Sequence, residues 1–174
     1  MAVLTLKRYG DPILRRVAEP VAAVTPEIKT LIADMVDTMW RQVGIGLAAP
    51  QVGASLRILV MDSGKGGARA LVNPVITDRT GSVREEEGCL SLPGIFAEVE
   101  RSKRVRLEAL DGDGQPVTFD WQGLEAKVIQ HELDHLDGVL FIDRLPPVTR
   151  DRIKKKIQKE GLSQEGRRHH AFAL

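Results

Sequence analysis

The sequence predicts an α+β fold with antiparallel or mixed strands around a central helix, a helix towards the N-terminus and another at the C-terminus. Three observations support this. Apolar residues recur with helical rhythm over residues 28–39, short β-type runs fill residues 57–122, and a helical segment at 124–136 carries His-Glu-x-x-His.

Asp11-Pro12 opens a turn or a short helical start, and Pro20 then favours an extended approach. Thr25 suits an N-cap, Pro26 the first helical position and Glu27 the positive end of the helix dipole. Ile28, Leu31, Ile32, Met35, Val36 and Met39 then form an apolar stripe. Gly44 and Gly46 end this helix, and residues 44–53 are rich enough in small residues to read as a loop.

Strands are predicted at residues 57–62, 70–77, 95–101, 103–110 and 116–121. Val105, Leu107 and Ala109 alternate with Arg104, Arg106 and Glu108, the pattern of a strand with one wet face. Asp111-Gly112-Asp113-Gly114 supplies a hairpin turn. Two helices follow, at residues 124–136 and 149–160, stopped by Gly138 and Gly161.

A length of 174 residues fits one domain, with residues 149–174 as a basic helix and tail. Hydrophobic residues at 43% and charged residues at 28% exclude wholesale disorder and fibrous repeats. No segment approaches the roughly 18 apolar residues of a membrane span, and the first ten residues lack a secretory pattern, so a cytoplasmic protein is expected. Neither membrane nor DNA is expected as a partner. The single cysteine forbids an intrachain disulfide, which leaves it as a buried hydrophobe or a chemically employed thiol.

In the run Gln130-His131-Glu132-Leu133-Asp134-His135, the two histidines lie one helical turn apart and can meet one ion. Glu132, rotated by about 100° from His131, can reach a water on that ion as a general base. A catalytic site needs a third protein ligand. His169 and His170 sit in a polar tail, whereas Cys89, in the segment Glu87-Gly88-Cys89-Leu90-Ser91, can complete a Cys/His/His set.

With residues 44–51, which read Gly-Ile-Gly-Leu-Ala-Ala-Pro-Gln, these segments make the chain resemble the peptide deformylases over nearly its whole length. The resemblance, in particular to the bacterial branch with a C-terminal helix, implies hydrolysis of the N-terminal formyl group of formyl-methionyl nascent polypeptides, releasing formate. It implies Cys89, His131 and His135 as metal ligands, Glu87 behind them, and Glu132, Gln51 and the Leu90 N–H as the catalytic groups. One divalent ion is implied, Fe2+ in the cell, with Zn2+, Ni2+ or Co2+ as substitutes. Ile45, Gly46, Leu124, Val128 and Lys127 are the expected substrate contacts. Lys127 is a departure in an apolar cleft, and the expectation is that its stem lines the cleft while its ammonium pairs with Glu85.

Residues 150–174 carry eight Lys/Arg against three Asp/Glu, a net +5 that by composition reads first as a solvated surface helix; the resemblance favours the other reading, contact with ribosomal RNA phosphates near the exit tunnel. Two rival functions are a zincin-type metallopeptidase with Glu160 as third ligand, and an RNA-associated module with a structural metal.

Overall fold

The computed structural model of the chain describes residues 2–162. Thr25 accepts a hydrogen bond from the backbone N–H of Ile28 and starts α1 (Pro26–Arg41), with Pro26 at its first position as predicted. Five strands form one antiparallel sheet in the order β1 (Gly46–Ala48), β2 (Ile58–Met61), β3 (Arg69–Thr80), β6 (Arg104–Leu110) and β7 (Pro116–Gln122). The remaining two, β4 (Val83–Cys89) and β5 (Leu92–Arg101), pair only with each other, antiparallel. Helices α2 (Leu124–Leu136) and α3 (Pro147–Glu160) follow.

The interior consists of three apolar clusters. Ala126, Val128, Ile129, Leu133 and Leu136 of α2 pack on Leu59, Met61, Leu71, Val105 and Leu107 of the large sheet. The α1 residues Ile32, Met35 and Met39 cover its other part, against Leu47, Ile58, Val60 and Val72. A third cluster joins Leu14, Cys89, Leu92 and Val99 to Phe141 and Ile142 of a 3-10 turn, with Ile153 and Ile157 of α3 packed on it.

The second helix is the structural key to function. Every residue from Ala126 to Leu136 is buried, although Lys127, Gln130, His131, Glu132, Asp134 and His135 are polar or charged. Burying such groups without partners costs several kcal/mol each, on the order of 2–7, so a helix of this composition at the centre of a protein needs a chemical reason.

Several boundaries differ from the sequence reading. Residues 44–53 are not a loop throughout: Gly46–Ala48 pairs with β2, and a 3-10 turn covers Ala49–Val52. A three-residue strand leaves no measurable periodicity, and only its distant partner defines it. The strand Val83–Cys89 was not predicted, because the run of glutamates at 85–87 reads as solvated. Glu87 is instead buried together with Gly88 and Cys89 after it, while Arg84, Glu85 and Glu86 stay exposed, so the strand enters the protein at its C-terminal end. The third strand is longer at both ends than predicted, the fifth begins at Leu92 rather than 95, and α3 begins at Pro147 rather than 149. Within α3 no residue is fully buried. The distal basic tail, with His169 and His170, lies outside the described residues.

Candidate metal and catalytic site

Cys89, the last residue of β4, meets His131 and His135 of α2, and one ligand atom from each lies within 4.8 Å of the others. Cys89 Sγ is 3.3 Å from His135 Nε2. All three side chains are buried. The chain bends back after Cys89, where Gly88 and Cys89 break the register with β5, and this brings the thiol to the helix.

The polar bookkeeping around the trio fits a cation. His131 Nδ1 is 2.8 Å from Glu87 Oε1, while its Nε2 is buried and has no hydrogen-bond partner. A buried ring nitrogen left alone is costly, and a metal ion satisfies it. Burial holds His135 well below the ordinary histidine range, reinforced by the neighbouring His131, so the ring is neutral as a ligand must be. Burial and the Glu132 charge push the Cys89 thiol far upward. A divalent ion reverses that bias and stabilises the thiolate. Two imidazoles and a thiolate suit a borderline-soft divalent ion such as zinc or ferrous iron.

Glu132 is fully buried and neither carboxyl oxygen has a hydrogen-bond partner. Burial, with the charge of Glu87 nearby, raises its pKa well above the usual carboxylate range. A Cβ on Gly46 would stand 2.6 Å from Glu132 Oε1 and 2.9 Å from Val128 Cγ1, so only glycine lets β1 pass this close to the carboxylate.

Gln51, in the 3-10 turn after β1, is also buried. Its Oε1 accepts from the Ala48 N–H at 2.8 Å, which fixes the amide so that Nε2 donates to Ser91 Oγ at 3.1 Å and points at Cys89 Sγ at 3.7 Å. Leu90 follows Cys89 and is buried. Ile45 and Leu124 pack with Val128 on the first cluster. Lys127 Nζ donates to the Glu86 carbonyl at 2.6 Å and lies 3.7 Å from Glu85 Oε2, so the expected pair forms. Glu160 is an exposed residue at the end of α3 and does not join the trio. Among the described residues the trio has no fourth Cys, His, Asp or Glu to close it, as a structural metal would ask.

One network escaped the sequence reading. Arg101 donates to Glu87 from Nε at 2.7 Å and Nη2 at 2.9 Å, and from Nη1 to Asp134 at 2.7 Å. Asp134 also accepts from Arg144 at 2.6 and 2.7 Å. Burial would raise the Glu87 carboxyl, but Arg101 and His131 together hold it at about 2. The signal was half present: an aspartate between two histidines on a buried helix demands a cation, but the sequence offers 25 Lys and Arg to choose from.

The chain as a whole is similar to known proteins. The polypeptide deformylase family model matches residues 3–151. A peptide deformylase of Alkalilimnicola ehrlichii is 49% identical over 170 residues, 96% of this chain and 94% of that one. One from Neisseria meningitidis is 46% identical over 91% of this chain and 96% of its own. The crystal structure of a peptide deformylase from Legionella pneumophila superposes with a TM-score of 0.86 at 42% identity, covering 91% of this chain and 95% of that chain. That from Thermus thermophilus does so with a TM-score of 0.86 at 45% identity and the same coverage.

Proposed function

The chain belongs to the polypeptide deformylase family, metal-dependent hydrolases that remove the N-terminal formyl group of nascent polypeptides, and we propose that Cys89, His131 and His135 hold its metal ion. The observation that carries this reading is the convergence of those three ligand atoms within 4.8 Å, beside a carboxylate with no partner of its own.

When bound there, a divalent ion supplies Lewis acidity and brings a water's pKa towards neutrality. Glu132 takes the proton released from the attacking water and returns it to the departing amine, and its upward-shifted pKa suits both halves of that task. As the formyl carbon becomes tetrahedral its oxygen gains charge, which Gln51 Nε2 and the Leu90 N–H receive; a donor of this kind is commonly worth about 3 kcal/mol. Glu87 holds His131 by Nδ1 and leaves Nε2 for the ion.

The peptide binds along β1. That strand ends the sheet order, and no described strand occupies its outer side, so its backbone groups are available to an extended chain. Gly46 gives the backbone of that chain close access, and Ile45, Leu124, Val128 and the stem of Lys127 wall the methionine side chain. Fe2+ is the ion in the cell, replaceable by Ni2+, Co2+ or Zn2+. The whole chain, residues 1–174, acts as one catalytic domain in the cytoplasm, and the basic face of α3 meets the ribosome near its exit tunnel. Among the described residues no helix is long and apolar enough to cross a membrane.

Formate release from formyl-Met-Ala-Ser, compared with the unformylated peptide as control, tests the reaction. Anaerobic reconstitution of the metal-free protein with each ion in turn tests metal identity, with the Fe2+ form expected to be active and to lose activity in air.

A further inference from the structure

A cavity of 290 Å³ lies between the β4–β5 pair and α2, lined by Val83, Val99, Glu85, Glu87, Gly123 and Lys127 among others. It adjoins the candidate metal site, because Glu87 both lines it and holds His131. Lys127 stands one helical turn before His131, on the same face. The side chain of Lys127 is 10% exposed, so its ammonium is largely cut off from bulk water. Of its three N–H donors, one is spent on the Glu86 carbonyl at 2.6 Å. The Glu85 carboxylate, 54% exposed, stands at 3.7 Å, beyond hydrogen-bonding distance.

Arg101, Ser102, Lys103 and Gln122 also line the cavity, but Arg101 is committed to Glu87 and Asp134, so the ammonium of Lys127, with donors unspent, is a specificity element. It does not improve the fit of a thioether, a weak acceptor, but it rewards a side chain of the same shape that carries an oxygen. We propose that Lys127 is a specificity-determining residue, whose Nζ donates to an acceptor oxygen on the first side chain of the substrate, so that formyl peptides beginning with methionine sulfoxide are processed as well as those beginning with methionine. This rests on the functional reading above, in which that side chain lies against Lys127. The cavity has room for the extra oxygen, and Glu85 competes for the same ammonium.

The test is the ratio of kcat/KM for formyl-Met(O)-Ala-Ser to that for formyl-Met-Ala-Ser, read by formate release on the metal-loaded enzyme. Lys127→Met keeps the stem and removes the donors, and should lower the ratio about tenfold, the value of a hydrogen bond from a charged group. Glu85→Gln weakens the competitor and should raise the ratio. An unchanged ratio in Lys127→Met overturns the proposal, and if that variant fails to fold, an unchanged ratio in Glu85→Gln does so. Failure of the wild-type enzyme to release formate from the unoxidised peptide would instead overturn the functional reading.

Discussion

Glu87 Oε1 lies 2.8 Å from Nδ1 of His131, with both side chains shut away from solvent, so a strand residue fixes which nitrogen of a helical histidine faces the proposed metal position. Arg101 grips the same carboxylate with two of its nitrogens, which holds Glu87 ionised and correctly aimed. Glu87→Gln keeps the shape and removes the charge. It should weaken metal retention roughly 10- to 100-fold, measured by competition with a chelator; retention equal to wild type would refute the role given to Glu87.

The same carboxylate makes stability depend on acid. Its ordinary pKa of 4.5 falls to about 2 in the folded protein. A lowered folded-state pKa contributes stability that is present above the unfolded value and disappears as pH falls through the folded one, so the window here runs from pH 4.5 down to about 2. The contribution is about 3 kcal/mol at neutral pH by the linkage relation. Urea midpoints of wild type and Glu87→Gln should therefore differ most above pH 4.5 and converge on acidification.

Cys89→Ala separates this site from any in which the thiol is a bystander. The variant should fold, since the thiol's neighbours in the third cluster are apolar and alanine is only slightly smaller. It should retain no stoichiometric metal after gel filtration and release no formate. Metal bound one to one in that variant would exclude the Cys/His/His assignment.

Gly46→Ala probes the approach of β1 to Glu132. The added methyl would sit 2.6 Å from a carboxyl oxygen and 2.9 Å from Val128 Cγ1, closer than packed atoms come. The carboxylate must shift, and kcat/KM should drop about 100-fold, with metal content retained. Unaltered turnover would mean that Glu132 is not held in its working position by this contact.

On α3, Lys155, Lys156 and Lys159 are exposed while Ile153 and Ile157 pack on the third cluster. Reversing those three charges tests the proposed ribosome contact without stripping the apolar side of the helix. Co-sedimentation with ribosomes should weaken and become less sensitive to salt, while hydrolysis of a short formyl peptide stays at the wild-type level. Undiminished binding across a salt series would rule out this surface.

The sequence by itself determined the elements with strong local signals. Thr25-Pro26 sets the start of α1, the alternation at 104–110 sets β6, and Gly138 stops α2 in a positive-φ conformation. It also placed His131 and His135 together, since two histidines four apart on a helix share a face wherever that helix lies. Tertiary structure decided the rest. Whether Cys89 reaches those histidines depends on how β4 and β5 pair and on a register break at residue 89, neither of which is encoded within the segment itself. The pairing of Arg101 with Glu87 and Asp134 spans 14 and 33 residues of chain. The brief strand at Gly46–Ala48 exists because β2 lies beside it, and the cavity at Lys127 exists because two elements from different parts of the sequence meet there. Local propensity acts over a few residues, whereas ligand convergence, ion pairing in the interior and close approach of backbones are set by which distant surfaces bury each other.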